Sequence, residues 1–289
     1  MNQGTAAAAL VDVATLGTLL GAPQLAILDC RFDLARPEWG AAQYRSGHIP
    51  GARHADLNRD LSAPVTAATG RHPLPDPAAF AATLGRWGIT AGSEVVCYDQ
   101  GSGAFAARAW WLLRARGQAR VRVLDGGYAA WLEAGGATET GAPQAAAATA
   151  PVRAFAGVVD TGEVAAGLAA GTLLLVDARA ADRYAGRNET IDPVAGHVPG
   201  AVNHPFMSNL GPDGRFLAPA QLRAAWAPLL AGRDPARLAM MCGSGVTACH
   251  NLLALAAAGI QGPRLYAGSF SEWIRDPARP VATGESQKS

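Results

Sequence analysis

Lysine is nearly absent from this chain. Lys288 is the only lysine among 24 basic residues, so any anion site must be built from arginine, histidine or backbone N–H groups. Charge is sparse as well. The net charge of +1 gives no electrostatic case for nucleic acid or for an anionic membrane surface. No apolar run approaches the ~18 residues of a membrane span. The start, Met1-Asn2-Gln3-Gly4, lacks the basic region of a signal peptide. The four cysteines are Cys30, Cys97, Cys242 and Cys249. None forms a Cys-x-x-Cys pair, and the spacing fits no zinc template, so neither a metal nor an organic cofactor is expected. A reducing, cytoplasmic setting is the expectation that follows.

What is present is an internal repeat. Asp12 stands 17 residues before Asp29, and Asp160 stands 17 residues before Asp177. Ala26-Ile27-Leu28-Asp29-Cys30-Arg31 answers Leu174-Leu175-Val176-Asp177-Ala178-Arg179. Gly47-His48-Ile49-Pro50-Gly51-Ala52 answers Gly196-His197-Val198-Pro199-Gly200-Ala201. Gly101-Ser102-Gly103 answers Gly243-Ser244-Gly245, and Trp131 answers Trp273. Landmarks recurring in one order indicate a tandem duplication.

Short apolar runs at Leu25–Leu28, Val95–Tyr98 and Val121–Leu124 alternate with helical patterns over Val13–Leu20, Ala78–Trp87, Gly103–Arg116 and Gly127–Ala134. Asp12 is placed to cap the first of these helices, and Asp76-Pro77 opens the second, since proline is tolerated in a first turn. Uninterrupted apolar strands between helices predict an α/β fold, a small parallel sheet covered on both faces, once per half. The expected division is a first domain over 1–136, a linker over 137–156, a second domain over 157–280 and a flexible tail over 281–289.

The chemistry concentrates at Cys242-Gly243-Ser244-Gly245-Val246-Thr247-Ala248. An apolar strand pattern ends at Met241, and a helical pattern begins near Cys249. A glycine-rich turn between them aims successive N–H groups into a bowl at a helix N-terminus, a setting that favours a reactive thiolate. In the first half, superposing the Gly-Ser-Gly runs sets Gln100 opposite Cys242, with Asp99 one place earlier. Neither is a suitable nucleophile, so one active site per chain is expected. Phosphatase chemistry would need Cys-x5-Arg for bidentate phosphoryl binding. The sixth residue after Cys242 is Ala248, which argues against it. Cys249 is expected to face away.

The two Gly-His motifs, the Cys-Gly-Ser-Gly-Val-Thr loop and the linker together resemble a tandem-domain rhodanese-type sulfurtransferase over nearly the whole chain. The absence of basic residues directly after Cys242 resembles the branch that uses 3-mercaptopyruvate; a thiosulfate:cyanide sulfurtransferase is the alternative. A persulfide carrier without small-molecule turnover is a third reading. The resemblance implies two rhodanese-like domains, the first inactive and closing one wall of a cleft. It also implies a Cys242 persulfide held by the backbone of Gly243, Gly245, Val246, Thr247 and Ala248. The sulfur would pass to cyanide or to a thiol such as thioredoxin or glutathione.

The resemblance assigns further residues. Arg183 matches the arginine that holds the donor's anionic group. A second family arginine has no counterpart between Asn188 and Gly196, and Arg187 is the substitute considered. His48 matches a histidine in a relay with the loop serine, Ser244, with Glu38 as the nearest acid. His48 has a twin in His197, so a fold role explains it equally well. Arg71 and His72 are read as loop-packing residues, with a place along the cleft as the alternative. Arg179 is expected to bond within its own domain.

Overall fold

The computed structural model describes residues 9–141 and 146–285. Each half builds a five-stranded parallel sheet. The first consists of β1 (Leu10–Val11), β2 (Leu25–Asp29), β3 (Ala52–His54), β4 (Glu94–Tyr98) and β5 (Val121–Leu124), in the order β1-β5-β4-β2-β3. The second consists of β6 (Val158–Val159), β7 (Leu174–Asp177), β8 (Val202–Asn203), β9 (Leu238–Met241) and β10 (Arg264–Tyr266), in the order β6-β10-β9-β7-β8. The two orders are the same, as duplication requires. Strands β4 and β9 run mid-sheet, and β9 is buried along its whole length. Their unbroken apolar sequence follows from helices covering both faces.

Asp12 caps the helix Val13–Leu19 by accepting from Thr15 N at 2.7 Å, and Asp76 caps Pro77–Arg86 through Ala78 N and Ala79 N. The helix Ala106–Ala115 begins three residues later than Gly103, because Gly103 is left-handed, φ +80°, and cannot be a helical residue. The cores repeat position by position. Leu16, Ile27, Ile49, Tyr98 and Trp131 form one, and Val164, Leu175, Val198, Met241 and Trp273 form the other. Each fully buried aliphatic side chain contributes roughly 1.5–3 kcal/mol.

The same polar device closes the carboxyl ends of β2 and β7. Arg31 grips Asp29 and donates to Gly47 O; Arg179 grips Asp177 and donates to Gly196 O at 2.8 Å. Both guanidinium groups lie over aromatic rings, Tyr128 and Phe270 respectively.

The chain forms two compact units that do not follow its midpoint. The first runs up to Ala63, then from Pro75 to Ala156, and adds Gly211–Phe216. The second comprises Pro64–Leu74, Gly157–Leu210 and the chain from Leu217 onward. Each unit thus contains a short segment from the other half of the sequence. The segment expected as a linker is partly docked on the first unit. Ala148 N donates to Gly85 O, Ala156 N donates to Ala115 O, and Phe155 packs against Phe80 and Trp111. The expected flexible tail is tied down where it is described. Ala282 and His197 exchange two backbone hydrogen bonds, and Gly284 N donates to Ala185 O. Residues 286–289 lie outside the described residues.

Strand pairing also corrects the register between the halves. Asp29 pairs with Tyr98, and Asp177 pairs with Met241. Asp99, not Gln100, therefore stands where Cys242 stands, and the first loop is one residue longer before its helix.

Candidate active site

Cys242 leaves the end of β9 and is almost fully buried. Its Sγ accepts from Gly245 N at 3.1 Å and from Ser244 N at 3.4 Å. The helix Ala248–Ala257 starts directly beyond and points its N-terminus at the loop. Gly245 has φ +76°, and a Cβ there would run into the carbonyl of Ala267. Only glycine permits that turn so close to the neighbouring chain. Cys249 faces away from the bowl: its thiol donates to Gly245 O at 3.3 Å, beneath the loop.

The loop after β10 holds this turn in place. Phe270 N donates to Cys242 O at 3.0 Å, and Ser271 N donates to Gly243 O at 2.9 Å. Ser269 accepts the Cys242 N–H at 3.1 Å through its hydroxyl, which donates to Tyr266 O. Ser269 is left-handed, φ +53°, where its counterpart in the first half is Gly127, φ +57°. A hydroxyl is needed here to receive the Cys242 N–H, and the strained backbone is the cost.

The first half provides an internal control for the bowl. There the Asp99 carboxylate accepts from Gly101 N, Gly103 N, Phe105 N and Ala106 N at 2.8–3.2 Å. The same strand-to-helix turn thus wraps an anion of its own. In the second half a sulfur occupies the corresponding place.

The segment Pro64–Leu74 brings Arg71 and His72 to this loop. Arg275 Nε donates to Thr69 O, and Arg71 N donates to Ser271 Oγ at 3.0 Å. His72 Nδ1 lies 2.8 Å from Ser244 Oγ. Arg71 Nη2 sits 2.7 Å from the point where a Gly243 Cβ would be, and Arg183 Nη2 sits 3.7 Å from it. Gly243 is therefore the space two guanidinium groups need beside the thiol. Arg183 donates to Glu189 in bidentate fashion and to Asp192 Oδ2 at 3.2 Å. Arg71 Nη1 is ion-paired with Asp192 Oδ1. Burial pulls the Arg71 pKa below its ordinary value, and charge on Cys242 opposes that shift. A cavity of about 220 Å³ adjoins the Arg71–Asp192 pair, lined also by Ile191, Ser271 and Arg275; Cys242 and Arg183 are not part of its wall.

Two expected site residues are engaged by other partners. Arg187 follows the short helix Ala181–Tyr184, points to solvent, and pairs loosely with Glu285 at 3.7 Å. The second arginine beside Gly243 is Arg71. His48 is fully buried in the first unit. Its Nδ1 is 2.7 Å from Tyr44 O, its Nε2 is 3.2 Å from Glu139 Oε1, and its ring stacks on Tyr44. His197 repeats the arrangement with Tyr184. His48 is thus bonded at both ring nitrogens within the first unit, and the histidine beside Ser244 Oγ is His72. Glu38 is exposed at the start of the helix Trp39–Ser46. Arg179 bonds within its own unit, to Asp177. Sequence reasoning gave no role to Glu189, Asp192, Ser269 or Ser271. Among the described residues no His, Cys, Asp and Glu cluster is arranged for a metal ion, and no helix is long and apolar enough to cross a membrane.

Comparison with known proteins agrees with this geometry. The model of the rhodanese-like domain matches twice, at residues 12–134 and 160–276. The chain is 53% identical to a probable 3-mercaptopyruvate sulfurtransferase of Pseudomonas aeruginosa, over 96% of this chain and 99% of that one. It is 43% identical to a putative thiosulfate sulfurtransferase of Mycobacterium tuberculosis, over 95% and 97%. Among solved structures, 3-mercaptopyruvate sulfurtransferase from Leishmania major superposes with a TM-score of 0.83 at 31% identity, covering 96% of this chain and 77% of that one. SseA from Escherichia coli superposes at 0.77 and 31% identity, covering 91% and 99%.

Proposed function

The chain belongs to the rhodanese-like family, and from that premise we propose that it is a sulfurtransferase using 3-mercaptopyruvate as donor and Cys242 as the sulfur carrier. The Cys242 thiolate attacks the donor sulfur. An S–S bond forms, the donor's C–S bond breaks, and the electron pair of that bond leaves on the pyruvate enolate. The proton from the donor thiol ends on the enolate carbon, so a thiolate and mercaptopyruvate become a persulfide anion and pyruvate. A thiol or cyanide then attacks the outer sulfur and regenerates the thiolate.

The observation that carries this choice of donor is the Ser244–His72 hydrogen bond of 2.8 Å at the sulfur loop. An enolate must gain a proton as it leaves, and a hydroxyl paired with an imidazole can relay one. Sulfite, the product from thiosulfate, needs none. Arg183 and Arg71 supply the cationic side that an anionic donor requires, and the N–H groups of Ser244 and Gly245 offset charge on sulfur.

The test compares pyruvate release from 3-mercaptopyruvate with sulfite release from thiosulfate, using cyanide or a dithiol as acceptor. The expected result is a higher kcat/KM for 3-mercaptopyruvate. A thiosulfate kcat/KM equal to or above it contradicts the assignment of the donor.

A further inference from the structure

Asp192 lies at the centre of the cationic side of the site, and its side chain is entirely buried. One oxygen is paired with Arg71 and the other with Arg183. Glu189 also holds Arg183 and reaches Arg179, which is itself paired with Asp177. Around the sulfur loop, then, the cations Arg71, Arg179 and Arg183 meet the anions Asp177, Glu189 and Asp192. The fixed charge of these six groups is zero before any donor enters, and Arg275, on the wall of the adjoining cavity, adds one positive charge at its edge. The arginines remain partly open to solvent, at 29% for Arg71 and 19% for Arg183, so a donor can reach them.

We propose that the Arg71–Asp192 pair selects the donor by charge, admitting a monoanionic carboxylate and discriminating against dianionic thiosulfate. The proposal rests on the sulfur-transfer reading above and adds the residues that set its specificity. Its physical basis is simple. A fixed charge a few ångström from the bound donor acts on a dianion twice as strongly as on a monoanion. Arg71 offers its Nη2 at Gly243, while Asp192 cancels the surplus positive charge that a dianion would need. Ser271 fixes the arrangement: its hydroxyl takes Arg71 N, and its own N–H holds Gly243 O.

Two variants move the charge in opposite directions. Asp192→Asn makes the cluster more positive by one unit, and Arg71→Gln makes it more negative by one. The readout is the ratio of kcat/KM for thiosulfate to kcat/KM for 3-mercaptopyruvate. We expect Asp192→Asn to raise that ratio about tenfold and Arg71→Gln to lower it by a similar factor, for charges in a partly solvated site. A purely structural role would lower both donors together and leave the ratio in place. If Asp192→Asn does not fold, Arg71→Gln alone decides the question. A ratio within twofold of wild type in the folded variants, or a shift of the same sign in both, overturns the charge assignment while leaving sulfur transfer intact. A wild-type protein that transfers sulfur from neither donor overturns both.

Discussion

Replacing Gly243 by alanine tests the arginine placement without changing any charge. The new Cβ would lie 2.7 Å from Arg71 Nη2, with Asp192 Oδ2 at 3.6 Å and Arg183 Nη2 at 3.7 Å. Ordinary contact requires the Arg71 guanidinium to retreat by roughly 0.7 Å. The obstacle is the end of a flexible side chain, and Gly243 is not among the left-handed residues. The fold should therefore yield locally, with a stability change of about 1 kcal/mol or less. The donor should lose one charge-assisted hydrogen bond, about 1.5–3 kcal/mol, or roughly ten- to a hundredfold in kcat/KM. The assay is steady-state pyruvate release, paired with thermal unfolding. Gly245→Ala is the contrast: it forces a left-handed residue and a Cβ against the Ala267 carbonyl, so it should lower Tm as well as activity. The reasoning is refuted if Gly243→Ala keeps wild-type kcat/KM, or if it lowers Tm as much as Gly245→Ala.

Other outcomes follow from the same geometry. Ser244→Ala and His72→Gln should each lower kcat with 3-mercaptopyruvate by about a hundredfold while changing thiosulfate turnover far less, since sulfite leaves without a proton; equal losses with both donors would contradict a proton relay. His48→Gln should cost about 1–3 kcal/mol in denaturant titrations by disturbing the buried bond to the Tyr44 carbonyl, and leave the donor KM unchanged in rate measurements. Burial holds His54 and His204 below the ordinary histidine value of 6.5. The unfolded chain therefore takes up protons that the folded chain refuses, and stability falls as pH drops below 6.5. Denaturant titrations at pH 7.5 and pH 5.5, values about a unit either side of that point, should show the loss, and it should shrink in His204→Gln.

Most of the fold was legible because its signals are local and repeated. Apolar runs mark β2, β4 and β5, Asp12 and Asp76-Pro77 mark two helix starts, and the repeat carries the assignment to the second half. The edge strands β1, β3, β6 and β8 hold two or three residues each, too few for alternation to register. Cys242 stood out because a glycine-rich turn between strand and helix is a local pattern. Matching the Gly-Ser-Gly runs sets its counterpart one residue late, because strand pairing, which fixes the true register, is not displayed in sequence. The rest of the site depends on long-range contacts. Ser244 meets His72 across 172 positions, and Arg71 meets Asp192 across 121. No periodicity links residues so far apart. Arg187 is near Arg183 in sequence, but the helix ends at Tyr184 and the chain leaves Arg187 exposed.

The most direct test of the account is the mass of the intact protein after exposure to 3-mercaptopyruvate. One sulfur atom, about 32 Da, should be gained on the peptide carrying Cys242 and lost again on adding cyanide or a dithiol. Cys242→Ser should gain nothing. A wild-type protein without the adduct, or an adduct that persists in Cys242→Ser, would contradict sulfur transfer through Cys242.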